Sequence, residues 1–209
     1  MPPKNKFTRE EMTRTALTII REKGADALTA KAIAERLGTS TRPIFTCFGT
    51  MEEVRREVRL CAEDLFREYT EAGLKEQVPF LGYGKQYLRF AGEEPELFRL
   101  LFLSGNRDRD SGMMPAMKRS FPAVCPSLMR IYHLDETDAE RFFRDLWLVV
   151  FSLATLKVTG GCPYSGEEIG GILTGFSVAV CKAIKEIPGF AGGQFDRDEV
   201  FRGLIAEKT

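Results

Sequence analysis

The sequence predicts an all-α chain in two parts: a compact three-helix head over residues 1–55 and a longer helical body over residues 56–209. Three observations predict it. Apolar residues recur at three- and four-residue spacing through most of the chain, the period of a helix with one buried face. Thr or Ser residues with Glu three positions later, and Gly further on, punctuate the chain as helix starts and stops. No run alternates apolar and polar residues as a strand does, and no segment repeats.

Each element follows in order. Thr8 with Glu11 opens the first helix as a reciprocal cap; Met12, Ala16, Leu17, Ile19 and Ile20 form its apolar stripe, and Gly24 ends it. Thr29 opens a short second helix with Ile33, Ala34 and Leu37 inward, stopped by Gly38. Ser40 or Thr41 caps a third, with Pro43 in its first turn, where the missing N–H does no harm. Ile44, Phe45 and Phe48 are expected to face inward, and Gly49 ends this helix. Thr50, with Glu53 at capping distance, starts a fourth helix running to about Ala72, long enough to connect head and body. The body is expected to hold helices near 80–92, 94–104, 115–132, 137–159 and 165–187. Residues 105–112 read as a polar, mobile loop, and Gly160, Gly161 and Pro163 as a sharp break. Beyond Pro188 the tail is Gly-rich, then polar, with room for one short helix.

Composition narrows the function classes. The chain has no net charge, yet the charge is divided. Residues 1–60 carry 12 Lys+Arg against 8 Asp+Glu, and residues 61–209 carry 18 against 22. A basic head on an acidic body suits a molecule that meets phosphate with one end. The five cysteines include no C-x-x-C pair and there is one histidine, His133, so no metal site and no cofactor is expected. Reduced thiols and the absence of a signal-type apolar run point to the cytoplasm. No apolar stretch is long enough for a membrane span; 146–156 reads as a buried helix. A phosphate loop, a metal cluster and a nucleophile–base pair are all missing, so the chain does not read as an enzyme.

Residues 29–48 form a helix, a three-residue turn containing Gly, and a second helix. Such a unit lays its second helix in the major groove while the first crosses the backbone. Ser40, Thr41 and Arg42 are small or polar where the backbone must approach base edges. Arg42 can bond guanine O6 and N7 together, and Thr41 and Thr46 can serve bases or phosphates. The bland alternative is an ordinary exposed helix surface. Thr29, Lys31 and Thr50 lie at helix N-termini, where N–H groups favour phosphate; capping alone also accounts for them.

From about residue 8 to 58 the chain resembles the head of TetR-type (TetR/AcrR) repressors. The resemblance rests on Gly24, Leu28 and Thr29, Ile33 to Arg36, Gly38, Ser40, the Phe45/Phe48 pair, Gly49 and Thr50, and Glu52 and Glu53. It implies an all-helical homodimer, a DNA-binding surface that includes Pro43 and Phe45, and a C-terminal ligand pocket whose filling releases double-stranded operator DNA. Three positions depart from the family's habit: Phe45 stands for Tyr, Cys47 for His and Met51 for Lys. Two phosphate contacts are thereby removed, leaving Lys4, Lys6, Arg9 and Arg14 to compensate. The alternative function is a helical small-molecule-binding protein with weakened or lost operator binding.

The body is rich in aromatics. Phe80, Tyr83, Tyr87, Phe142 and Phe143 belong to an aromatic group in which Phe90, Phe98, Phe102, Phe121, Trp147 and Phe151 are singled out; its members are either plain core or, as a group, the lining of a site for an apolar or aromatic effector. Arg89, Arg130 and Lys157 are candidate anion contacts beside it. Ala154, Gly170, Gly171, Gly175, Ser177 and Ala179 let helices approach closely. The resemblance implies that these last two long helices form the homodimer contact.

Overall fold

The computed structural model describes residues 7–104 and 113–206, and every described element is helical. The expected loop at 105–112 lies outside the described residues. The head comprises α1 (Arg9–Lys23), a short 3-10 turn (Ala25–Ala27), α2 (Ala30–Leu37) and α3 (Arg42–Phe48). α4 (Met51–Leu74) follows without a linker, so the expected boundary near residue 55 falls inside a continuous helix. The body continues with α5 (Pro79–Glu93), α6 (Pro95–Phe98), α7 (Met113–Tyr132), α8 (Glu136–Thr159), α9 (Gly166–Glu186) and α10 (Arg197–Ala206).

The caps predicted at Thr8, Thr29 and Thr50 form. Thr8 accepts from the Glu11 N–H at 3.1 Å while the Glu11 carboxylate accepts from the Thr8 N–H at 2.8 Å. Thr29, Thr50 and Ser165 accept from the N–H three residues on in the same way. Gly38 closes α2 in the left-handed conformation (φ 63°), which a side chain would strain. The head core is Met12, Ile20, Leu28, Ile33, Ile44 and Phe48, all fully buried.

Two features differ from expectation. Phe45 does not join that core: it is 44% exposed. Ile44 and Phe48 are four residues apart and share one helix face, which turns Phe45 outward. The helix expected over 94–104 changes character midway, with Arg99–Leu103 adopting wider π-type turns. There the Ser104 N–H bonds the Arg99 carbonyl, and the Arg99 guanidinium reaches Glu96 and the Val158 carbonyl at the end of α8.

In the body, α4 and α5 form a tight antiparallel pair. Gly73 and Gly82 meet at their crossing; a Cβ on Gly73 would lie 2.4 Å from the Gly82 carbonyl. Only glycine at both positions permits that approach. α5 then packs on α8 through Phe80, Tyr83 and Tyr87 against Phe142, Phe143 and Trp147. Within 146–156, Leu146, Trp147, Val150, Leu153 and Ala154 are buried, but Leu148 and Leu156 are exposed. The small residues divide likewise. Ala154 and Ser177 are buried within the chain, while Gly170, Gly171 and Gly175 have open space where a Cβ would stand.

Head and body touch beyond α4. Arg21 of α1 grips Glu94, just before α6, through two bonds of 2.8 and 2.6 Å. Gly24 passes close to Glu96; a Cβ on Gly24 would lie 3.1 Å from that carboxylate.

Candidate nucleic-acid interface and effector pocket

α3 presents the candidate reading surface. It is short because Gly49 (φ 76°) stops it after Phe48. Thr41 occupies its N-cap position but makes no side-chain cap. The Thr41 backbone is helical, its carbonyl already takes the Ile44 N–H at 3.1 Å, and Pro43 offers no N–H. The Thr41 hydroxyl therefore stays free of the cap expected of it. Ser40, Thr41 and Arg42 are exposed together, and Arg42 makes no ion pair among the described residues. Pro43 is half-buried; Thr46 is exposed and donates to the Arg42 carbonyl at 2.9 Å.

The flanking residues are arranged differently. Thr29 and Thr50 are exposed but commit their oxygens to the N-termini of α2 and α4. Lys31 is exposed and sits 3.7 Å from Glu35, a weak pair on the helix surface. Arg9, a candidate compensating contact, is tied down instead. Its guanidinium donates to the Cys47 carbonyl and to Glu57 at 2.7 Å, and lies 4.5 Å from the Phe48 ring centre. Arg9 therefore braces α3 against α1 and α4. Arg14 is exposed, and Lys4 and Lys6 lie outside the described residues.

The body contains a cavity of about 390 Å³ between α4, α5, the π-type turns and α7. Phe66, Tyr83, Leu101, Phe102, Ala116 and Ser120 form its walls, with Glu63, Arg67 and Arg119 at the rim. Of the six aromatics singled out from sequence, Phe102 lines this cavity. Phe90, Phe98 and Trp147 are packed behind it, and Phe121 and Phe151 are half-buried. The three candidate anion contacts do not line it: Arg89 pairs with Glu93 at 2.8 Å, and Arg130 and Lys157 are exposed elsewhere. Phe66 and Ser120 escaped the sequence reading, and they and Tyr83 lie on three different helices. Their meeting depends on how α4, α5 and α7 cross, which helical periodicity does not encode.

Two family models match the chain. Residues 13–58 match the one described as bacterial regulatory proteins, tetR family, and residues 80–170 match the Tetracyclin repressor-like C-terminal domain. The chain belongs to the TetR family. A curated relative, the uncharacterized HTH-type transcriptional regulator Rv0681 of Mycobacterium tuberculosis, is 26% identical over 161 residues. The match covers 74% of this chain and 72% of that protein. The protein is thus a TetR-family transcriptional regulator with a DNA-binding helix-turn-helix, and α2 and α3 are that unit. TetR-family regulators bind operator DNA and dimerise. No helix among the described residues is long and apolar enough to cross a membrane, and no cluster of His, Cys, Asp and Glu there could hold a metal ion.

Proposed function

We propose that this TetR-family regulator is a dimeric repressor that holds a near-palindromic operator and releases it when a small apolar or aromatic effector fills the body. The observation that carries this reading is that α4 serves both ends. Val54 and Val58 in its early turns are buried beneath the head, while Phe66 and Thr70 further along wall the cavity. A ligand that prefers one setting of α4 thereby biases the placement of α3. Couplings of about 1–3 kcal/mol are typical of such linkage.

In this reading Arg42 reads a guanine, Thr41 and Ser40 contact bases or phosphates beside it, and Thr46 backs them. Lys31 and the N-termini behind Thr29 and Thr50 take phosphates. The exposed apolar residues Leu148 and Leu156 on α8, and Ile172, Phe176 and Val178 on α9, form the homodimer contact. Two-fold symmetry then spaces the half-sites by about 34–36 Å or a multiple of it.

The test is selection of DNA fragments by the purified protein beside Arg42→Ala, at about 150 mM salt. Recovery of one near-palindrome that the variant loses is the expected outcome. The exposed Phe45, without a tyrosine hydroxyl, favours a second reading in which the head has lost operator recognition. A flat, salt-insensitive response to every fragment would establish that reading instead.

A further inference from the structure

The cavity of the body adjoins buried polar groups that close no hydrogen bond among the described residues. Buried hydroxyls and indole N–H groups almost always have a hydrogen-bond partner, because one left without costs about 1–3 kcal/mol. Three such groups are neighbours here. Tyr83 is 2% exposed, Tyr87 0% and Trp147 1%. Neither hydroxyl nor the indole Nε1–H makes a hydrogen bond among the described residues. The ring centres of Tyr83 and Tyr87 are 6.3 Å apart, and those of Tyr87 and Trp147 are 5.9 Å apart. Tyr83 stands in the cavity wall, so the cluster begins where the cavity ends.

The chemistry of the cluster selects its complement. Burial pushes the Tyr83 phenol up to about 12, while the Ser120 hydroxyl and the Trp147 indole, which lie beside its oxygen without closing a hydrogen bond, pull it back. Burial raises Tyr87 as well. Both phenols keep their protons at neutral pH and can donate, and the Trp147 indole can only donate. Ser120 already gives its proton to the Ala116 carbonyl at 3.0 Å. The site is therefore rich in donors and carries no charge at its depth. The cationic side chains at the rim are matched by carboxylates: Arg67 pairs with Asp64 and Glu71, and Arg119 with Glu63. The remaining wall is apolar, and 390 Å³ is within the usual range of about 300–1,000 Å³ for small-molecule sites.

Building on the effector-site reading above, we infer that the ligand is a neutral, mostly apolar molecule bearing a carbonyl-type acceptor, its oxygen seated on the Tyr83 hydroxyl with Tyr87 and Trp147 as the next donors inward. The competing occupant is ordered water, which would satisfy the same donors and create no preference for a carbonyl.

The test is calorimetric titration of the full-length protein, without DNA, with three matched pairs of probes. These are benzophenone against diphenylmethane, acetophenone against ethylbenzene, and acetylnaphthalene against ethylnaphthalene. At least one ketone is expected to bind about tenfold tighter than its hydrocarbon, the worth of one well-placed buried hydrogen bond. Tyr83→Phe should erase that preference while leaving the hydrocarbon's affinity within about twofold. Tyr87→Phe supplies the same comparison if the first variant does not fold. Equal binding within every pair, failure of all three ketones to bind, or a preference that survives Tyr83→Phe overturns the inference. A compound that releases operator from wild type and Tyr83→Phe alike overturns it too, and leaves the ligand-gated repressor standing. Failure of the DNA selection removes the repressor reading without touching this result.

Discussion

Among the described residues, no buried polar side-chain atom of α1–α3 lacks a hydrogen bond, whereas Tyr83, Tyr87, Trp147 and Thr155 in the body all do. The head closes itself with short-range devices. Thr13 turns its buried hydroxyl back to the Arg9 carbonyl at 2.9 Å, threonines cap the helices, and Arg9 bolts α3 to its neighbours. The body is packed mainly by ring on ring, as where Trp147 stacks on Phe151 at 5.2 Å and Phe98 meets Phe102 at 4.8 Å. Rings fill space well, but the phenols of Tyr83 and Tyr87 and the Trp147 indole close no hydrogen bond among the described residues. The body also leaves apolar side chains of α8, α9 and α10 facing outward, Val178 at 61% exposure and Ile205 at 74%. The difference teaches that the head is finished as a single chain, while the body is shaped to receive something further.

The contrast can be broken most forcefully in the head. Phe48 is 1% exposed and carries the Arg9 guanidinium on its face. Phe48→Ala should cost about 3–5 kcal/mol and unfold the head first. Chemical denaturation followed by hydrogen exchange at α1–α3 would check it. Uniform loss of protection across both parts would show that head and body unfold as one unit, joined by α4 and the Arg21–Glu94 pair.

A smaller effect, of opposite sign, belongs to the body. Tyr87→Phe removes a hydroxyl that has no partner among the described residues, so the protein without ligand should keep its stability or gain about 1 kcal/mol. Loss of more than that in a denaturation midpoint would mean the hydroxyl is satisfied in solution, and the comparison would weaken. The smallest effect is expected at the cap of α4. Thr50→Ala removes the bond to the Glu53 N–H and should cost about 1 kcal/mol. Because α4 runs on into the body, hydrogen exchange should show fraying confined to its first turn. Fraying that reaches Phe66 would mean that the cap and the cavity wall are coupled more tightly than packing alone suggests.

Much of the head was legible because its signals are local. Thr8 with Glu11, Gly24, Gly38 and Gly49 act within a few residues of where they stand, so their spacing reads directly as helix ends. Arg42, Thr41 and Ser40 could be named as candidate contacts for the same reason. Three local inferences nevertheless missed. Phe45 faces outward, because Ile44 and Phe48 take the buried face of α3. Thr41 does not spend its hydroxyl on a cap, because Pro43 and a tight first turn leave no N–H for it to take. Arg9 is not a free surface cation, because Glu57 on the distant α4 claims it. In the body the helices were legible from periodicity, but the cavity was not. Tyr83 and Ser120 are separated by 37 positions in sequence and lie on different helices, yet both line the cavity.

By itself, the sequence determined that this chain is helical throughout its described length, where most helices begin and end, and that a helix-turn-helix occupies 29–48. Those properties follow from the chemistry of neighbouring residues: capping oxygens, glycine's freedom at positive φ, and an apolar stripe every three to four positions. Only the tertiary structure decided which aromatics enclose space and which fill it, and which hydroxyls and arginines find partners. It also decided that α4 reaches from beneath the head to the cavity wall. Those outcomes depend on helix crossings such as the Gly73–Gly82 contact, where backbone meets backbone between residues that no local pattern relates.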